Sequence, residues 1–405
     1  MSSPLSSNAQ PAMSQILIML VLMVACGQMA QTIFVPALPL IGDSLQIGAS
    51  GLQAIMASYL LAYGLFQFLY GPISDRIGRK LPLLFGLALF VVGAIIAANS
   101  QTFWLLIAAS TLQGMGTAAA GALSRSIPRD YYFGDELKTF NSYVSMAVVF
   151  LPLVAPFLGS VTTTYFDWHA VYYCLAAFGT LVWLCLLFGF KESLPENRRE
   201  KRPVLASYAL VLNHKPFRGY VLSLVATFAG IAAFEAIAGV LYGQSLQMSP
   251  LWVSLYFVAP IPGYLVGAFM ASRTSSMRKL TNRGIALLGA GALFLLIPGL
   301  SGWVIGWTLL VGSVLFFCGA GVLFPTLTSA ALEPFPRQAG IAGALLGGLQ
   351  NFGAGLAALA MSLVPMHGQF SIGLLCAVMV VLVILALTWA KNCEQDNQIT
   401  DANLL

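Results

Sequence analysis

One acidic residue, Glu235, stands alone within a long apolar run spanning 217–243. A carboxylate taken out of water loses the hydration that supports its charge, so an isolated one at depth can load and release protons along an ion or substrate pathway. It lies 18 residues past Phe217, about 27 Å along a helix. The duller reading is a protonated glutamate held by a neighbouring glutamine or tyrosine. Aromatic chemistry is the second signal. Tyr59, Tyr63 and Tyr70 follow one another at spacings of four and seven, on a helix face that carries Phe66 and Gln67 near its edge. A polarisable wall of this kind accepts flat lipophilic molecules without demanding one geometry. Trp307, Phe316 and Phe317 offer a similar surface further on, or plain packing. Gln28 and Gln31 place amides in the first apolar run, and Arg125 ends the fourth, where it either serves the interior or snorkels to the surface.

A third group is compact: Gly71-Pro72-Ile73-Ser74-Asp75-Arg76-Ile77-Gly78-Arg79-Lys80. Two glycines allow a tight turn, and Asp75 is the one acid among Arg76, Arg79 and Lys80. An ordinary basic loop explains the cations but does not require Gly71, Asp75 and Gly78 at these spacings.

The elements that must hold these residues follow from composition. Of 405 residues, 59% are hydrophobic and 8% charged, against about 25% charged in soluble domains. Mean hydropathy is +0.85. The chain is therefore expected to be an all-α polytopic membrane protein with roughly a dozen spans and no separate catalytic domain. Breaking the hydropathy at polar stretches places the spans at 14–40, 50–70, 81–98, 102–124, 140–164, 169–190, 217–243, 250–272, 284–301, 303–326, 338–364 and 370–390. The first reads as a retained membrane helix, since no basic residue or cleavage site precedes it. The longest polar connection separates an N-terminal bundle, 1–190, from a C-terminal bundle, 217–391; the linker is 191–216 and a tail is expected over 392–405.

All 19 Lys and Arg residues fall in the even-numbered connections, at their edges, or in the tail. The other side carries only Asp43, Asp167, His169 and His367. By the positive-inside rule both termini are expected in the cytoplasm, and a missed span would scatter the charges. The net charge of +5 thus reports orientation and implies no nucleic-acid partner. Five cysteines lie in apolar runs and one in the tail, so no disulfide framework or metal site is expected. The three histidines sit at span edges or in loops, and no nucleophile stands beside a base, which argues against an intramembrane enzyme. No G-x-x-x-x-G-K-[ST] loop is present to hold ATP. The absence of Asn-x-Ser/Thr sequons agrees with a bacterial inner membrane.

The turn at Gly71–Lys80 resembles the G-x-x-x-D-R-x-G-R-[KR] signature of the major facilitator superfamily. Further strings resemble the twelve-helix drug/proton antiporters and, among them, the EmrD multidrug exporters: Gly27-Gln28-Met29-Ala30-Gln31-Thr32 with Pro36-Ala37-Leu38-Pro39, Gln113-Gly114-Met115-Gly116-Thr117, Phe234-Glu235-Ala236 and Gly347-Gly348-Leu349-Gln350-Asn351. The likeness runs from about Gln15 to Lys391. It implies two pseudo-symmetric six-helix bundles around a central cavity that opens alternately to either side. It also implies a gate, with Asp75 meeting the start of span 11. The family's span 4 arginine is replaced by Ser110, and an acidic residue that some members carry in span 1 gives way to Gln28 and Gln31. Ala155-Pro156-Phe157-Leu158-Gly159-Ser160 only partly matches the antiporter string, leaving a Pro156 kink as the direct reading.

The expected activity is proton-coupled export of hydrophobic, often cationic, drug-like molecules, with Glu235 as the coupling group. Gln28, Gln31, Tyr59, Tyr63, Phe66, Glu235, Trp307 and Phe317 are the candidate substrate contacts. No cofactor is expected beyond the proton gradient, and the partners are lipophilic small molecules, protons and the bilayer, with the monomer as the working unit. A porter for a polar metabolite such as a sugar, polyamine or amino acid is the alternative; it calls for more charged or amide groups at mid-membrane. A receptor or scaffold without transport is a further alternative, but it gives no reason for the signature turn.

Overall fold

The computed structural model describes residues 13–132, 134–199, 204–274, 276–335, 339–363 and 368–402. Lys201, Arg202, Arg337 and His367, which entered the charge count, lie outside them. Among the described residues all regular structure is helical. That follows from the solvent: a backbone in lipid must satisfy its own hydrogen bonds, and a helix does so within one segment.

The first span is broken. α1 (Met13–Thr32) leads through a 3-10 turn at Val35–Ala37 into α2 (Leu38–Leu45), with Pro36 and Pro39 setting the break. Then follow α3 (Ala49–Ile77), α4 (Lys80–Ala98), α5 (Phe103–Tyr131), α6 (Gly134–Tyr165) and α7 (His169–Gly189). In the second half α9 (Lys215–Val240) ends in a π-turn at Leu241–Ser245. Span 8 is split into α10 (Pro250–Val258) and α11 (Pro260–Ser272) where Pro260 and Pro262 interrupt it. α12 (Met277–Leu300), α13 (Gly306–Leu332), α14 (Ala339–Leu363) and α15 (Gln369–Ala402) complete the chain. Eleven helical stretches among the described residues are long and apolar enough to cross a membrane, and α6 adds a shorter apolar segment, Phe150–Tyr165. This is a multi-pass membrane protein with the twelve-helix layout.

Two features differ from the expected layout. The connection between the halves is not merely polar: it contains α8 (Val204–Asn213), whose apolar run is too short to span. The tail is no separate segment, because α15 continues to Ala402. No proline or glycine interrupts it past Gly373, and the Tyr220 hydroxyl on α9 donates to Glu394 Oε1 at 2.6 Å, docking the extension.

Six helix pairings recur in the two halves. In the first, α3 and α4 pack on α5, α7 on α4, and α1 on α5, α6 and α7; in the second, α11 and α12 pack on α13, α15 on α12, and α9 on α13, α14 and α15. These are the same pairs six spans apart, as an internal repeat requires. Between the halves α3 packs along α14. Glycine makes this possible: the Gly64 backbone faces that of Phe352, and Gly355 faces Leu61, leaving no room for a Cβ at either position. The symmetric contact, α6 with span 8, is carried by α10, the part of that span away from the basic end. There Ser254 Oγ donates to the Pro156 carbonyl at 2.9 Å.

Candidate functional site

Gly78 ends α3 with φ +100°, a backbone region that favours glycine, and this turns Arg79 back beneath the helix it follows. Arg79 Nη1 then lies 2.5 Å from Asp75 Oδ1 and 2.6 Å from Ser74 Oγ, while its Nε donates to Asp130 Oδ2 at 3.1 Å. Ser193 donates to the same Asp130 oxygen at 2.7 Å. Glu192, just past α7, accepts from the backbone N–H groups of Arg79 (2.7 Å) and Lys80 (3.1 Å), so a carboxylate sits at the positive start of α4. Lys80 Nζ donates to the Leu187 carbonyl at the end of α7 (2.9 Å). Arg76 is exposed, and Gly71 lies under the Tyr208 hydroxyl of α8. Tyr208 donates to the Phe68 carbonyl at 3.3 Å, and burial, with Asp75 nearby, pushes its hydroxyl up to about 12. The signature turn is thus knitted to the ends of α5 and α7. Its expected contact with the first residues of span 11 falls outside the described residues.

The tyrosines face inward, though not onto one open wall. Tyr59 is 2% exposed, with its hydroxyl 2.8 Å from Thr117 Oγ1 on α5 and 3.2 Å from the Gly27 carbonyl on α1, and Gln31 bonds it as well. These contacts tie three helices of one half together. Tyr63 stacks on Tyr59 with ring centres 5.9 Å apart, bonds Gln67 and faces Arg125. Phe66 is half-buried against Tyr70, and Gln28 is half-buried, its carbonyl accepting from Thr32. Gln67 reaches the other half, where Asn351 Nδ2 lies 3.4 Å from its Oε1 and donates to the Gly347 carbonyl at 2.8 Å.

Arg125 does not simply snorkel. Its Nη1 donates to the Gly343 carbonyl of α14 at 2.8 Å, linking the halves. Protein surrounds the side chain, yet it keeps accessible surface, as a group lining a cleft does. Glu235 is similar: enclosed by its neighbours, only half-shielded from solvent, and without a hydrogen bond or ion pair among the described residues. The partner glutamine or tyrosine of the duller reading is thus not found among them. Beside it, Phe234 packs on Phe257, Phe317 and Tyr242 with ring centres 5.6–6.4 Å apart. Phe317 is buried in that cluster. Trp307, expected among the substrate contacts, is 62% exposed on the face of α13 opposite Phe316. With Trp104, Trp252 and Trp303 it forms an outer belt at the end away from the basic residues, where indoles sit at a lipid–water boundary.

The profile of the Major Facilitator Superfamily matches residues 20–358. The chain belongs to this superfamily. Among its relatives, Multidrug resistance protein D of Escherichia coli (strain K12) is 42% identical over 376 residues, covering 91% of this chain and 94% of that protein. Multidrug resistance protein MdtL of Shewanella oneidensis is 27% identical over 325 residues, 78% of this chain and 80% of its own. In fold, the chain is similar to the xylose transporter XylE from E. coli in a partially occluded inward-open conformation, with TM-score 0.73, 16% identity, and coverage of 94% and 97%.

In this facilitator the groups that local sequence reading passes over are Asp130, Glu192 and Ser193, together with the Gln67–Asn351 pair. The first three sit in loops or at helix ends, with no motif to mark them. Gln67 and Asn351 are 284 residues apart, and only the packing of α3 on α14 brings them together.

Proposed function

We propose that this facilitator exports lipophilic, often cationic, drug-like molecules from a bacterial cytoplasm in exchange for protons, its two halves alternating about a central cleft. The observation that carries the reading is Glu235, a carboxylate in the interior that keeps accessible surface and has no partner among the described residues. Protonation neutralises it and favours one facing; release of the proton leaves a negative site that favours an organic cation. Proton and drug thereby compete. For a neutral drug, one proton moving inward through 100 mV supplies about 2.3 kcal/mol, equal to roughly a fiftyfold gradient for one-for-one exchange, whereas one monovalent cation exchanged for one proton moves no net charge and is driven by the pH difference alone.

The multidrug-resistance names of relatives at 42% and 27% identity support the substrate class. The basic end is assigned to the cytoplasm of an inner-membrane protein, with both termini there. The turn at Asp75 acts as the gate on that side, and the monomer is the working unit. The chemistry is transport, with no cofactor beyond the proton gradient. A dye-efflux assay in cells with and without an uncoupler tests this. Expression of the chain should lower dye retention, and the uncoupler should abolish the effect; retention unaffected by expression would overturn it.

A further inference from the structure

Pro72 lies inside α3, five residues before the helix ends. A proline has no N–H, so the carbonyl four residues earlier, that of Phe68, loses the donor that an α-helix would give it. The replacement comes from outside the helix. The Tyr208 hydroxyl of α8 donates to that carbonyl at 3.3 Å, across 140 residues of chain.

This bond joins the two halves. Phe68 belongs to the first half, whereas α8 packs on α14 and α9 of the second. The linker that carries α8 is fastened to the first half at its other end, where Glu192 accepts from the start of α4 and Ser193 donates to Asp130. The Phe68 ring lies on α14 at Gly348, so closely that a Cβ there has no room. One residue of α3 therefore meets the second half twice, by its ring on α14 and by its carbonyl on α8. Deeper along the same seam, Gln67 meets Asn351 and Gly64 meets Phe352.

The two contacts respond differently when α3 and α14 part. A ring leaving Gly348 finds other apolar surface, but the Phe68 carbonyl has no second donor four residues on in its own helix. Water entering the opened end replaces the tyrosine, so the difference is that of one ordinary hydrogen bond. That amounts to about two- to tenfold in the ratio of open to closed forms.

We propose that Tyr208 is a latch between the halves: its hydroxyl takes the carbonyl that Pro72 frees only while α3 lies against α14, and it biases the facilitator toward the form closed at its basic end. The inference rests on the alternating reading and names a residue that sets its balance. Pro72 thereby has a role beyond shaping the signature turn, since a residue with an N–H at that position would make the latch redundant.

The test uses the purified full chain in nanodiscs, with Cys174 and Cys185 replaced by serine and spin labels at Leu81→Cys and Arg278→Cys. Both positions are exposed, each the second residue of its helix, α4 in the first half and α12 in the second. Label separations measured by pulsed electron resonance report the populations closed and open at this end. Tyr208→Phe, which keeps the ring and removes the donor, should raise the open-to-closed ratio about two- to tenfold. In a Pro72→Ala background, where the Phe68 carbonyl regains a donor within α3, Tyr208→Phe should leave the ratio nearly unchanged. An equal shift in both backgrounds, or none in either, overturns the proposal. Tyr208→Leu decides the matter if Pro72→Ala does not fold: a shift shared by Phe and Leu supports the hydrogen bond, and a shift with Leu alone assigns the effect to ring packing and overturns the latch. Because neither gradient nor drug is present, an unmoved ratio leaves dye export untouched, and failure of dye export leaves these populations standing.

Discussion

The Nε of Arg79, in the turn between α3 and α4, lies 3.1 Å from Oδ2 of Asp130 at the end of α5, with side chains 7% and 10% exposed. Its other partner, Asp75, is 38% exposed. Burial works against the charge on Arg79, but Asp130 and then Asp75 more than offset it and hold the guanidinium's pKa above its usual range. The two carboxylates therefore contribute unequally. Losing a buried partner strands a charge and costs about 3–5 kcal/mol, whereas a partly exposed pair is worth about 1 kcal/mol or less.

Asp130→Asn is accordingly expected to lower the melting temperature of the purified protein clearly more than Asp75→Asn. Asp75→Asn should fold and express normally yet reduce dye efflux. Equal melting shifts would overturn the ranking, and unchanged efflux in Asp75→Asn would leave the turn as a surface loop.

Glu235→Gln keeps the shape of the side chain and removes its titration. Uphill, uncoupler-sensitive efflux should be lost while downhill exchange persists, and Glu235→Asp should keep partial activity with a shifted pH profile. A well-expressed Glu235→Gln variant that still pumps would move the coupling site elsewhere.

Orientation is tested by labelling in a background where the exposed cysteines, Cys174 and Cys185, are replaced by serine. Cysteine at Gln101 or Ser301, both exposed, should react with an impermeant thiol reagent added outside, and cysteine at Asn197 should not. Ser100 is unsuitable: it is buried, with His169 Nε2 3.1 Å from its carbonyl. Labelling confined to Asn197 would reverse the topology.

His214 accepts from the Phe217 N–H at 3.2 Å through Nδ1, capping α9, which requires a neutral ring. Burial lowers its pKa below 6.5, with Glu394 pulling the other way. A histidine with a depressed folded pKa stabilises the fold above its unfolded value, and that contribution is lost as pH falls. Acidification from about pH 7 to 5 should therefore lower the melting temperature of wild type more than that of His214→Asn, whose side chain caps without titrating. Parallel pH curves would show that the cap does not titrate.

Gly64→Val should push α3 away from α14, because the Phe352 backbone occupies the space a side chain needs. Purified Gly64→Val should melt at a clearly lower temperature than wild type, whereas Gly289→Val, whose added side chain meets open space on α12, should melt close to it. Equal melting temperatures for the two variants would show that the helices can re-pack around the added bulk.

The number of spans, the end that gathers the basic residues and the isolation of Glu235 were all legible from the chain alone. The reason is local: a helix in lipid satisfies its own backbone and needs about 20 apolar residues, so each span announces itself without reference to its neighbours. What each helix faces was a different matter. These helices are apolar nearly all round, so no polar stripe marks an inner side. Only the packed structure put Tyr59 inside one bundle, turned Trp307 outward, carried Arg125 across to Gly343 and joined Gln67 to Asn351. Those partners lie tens to hundreds of residues apart, and in a solvent as apolar as the side chains themselves, close packing and hydrogen bonding decide which surfaces meet.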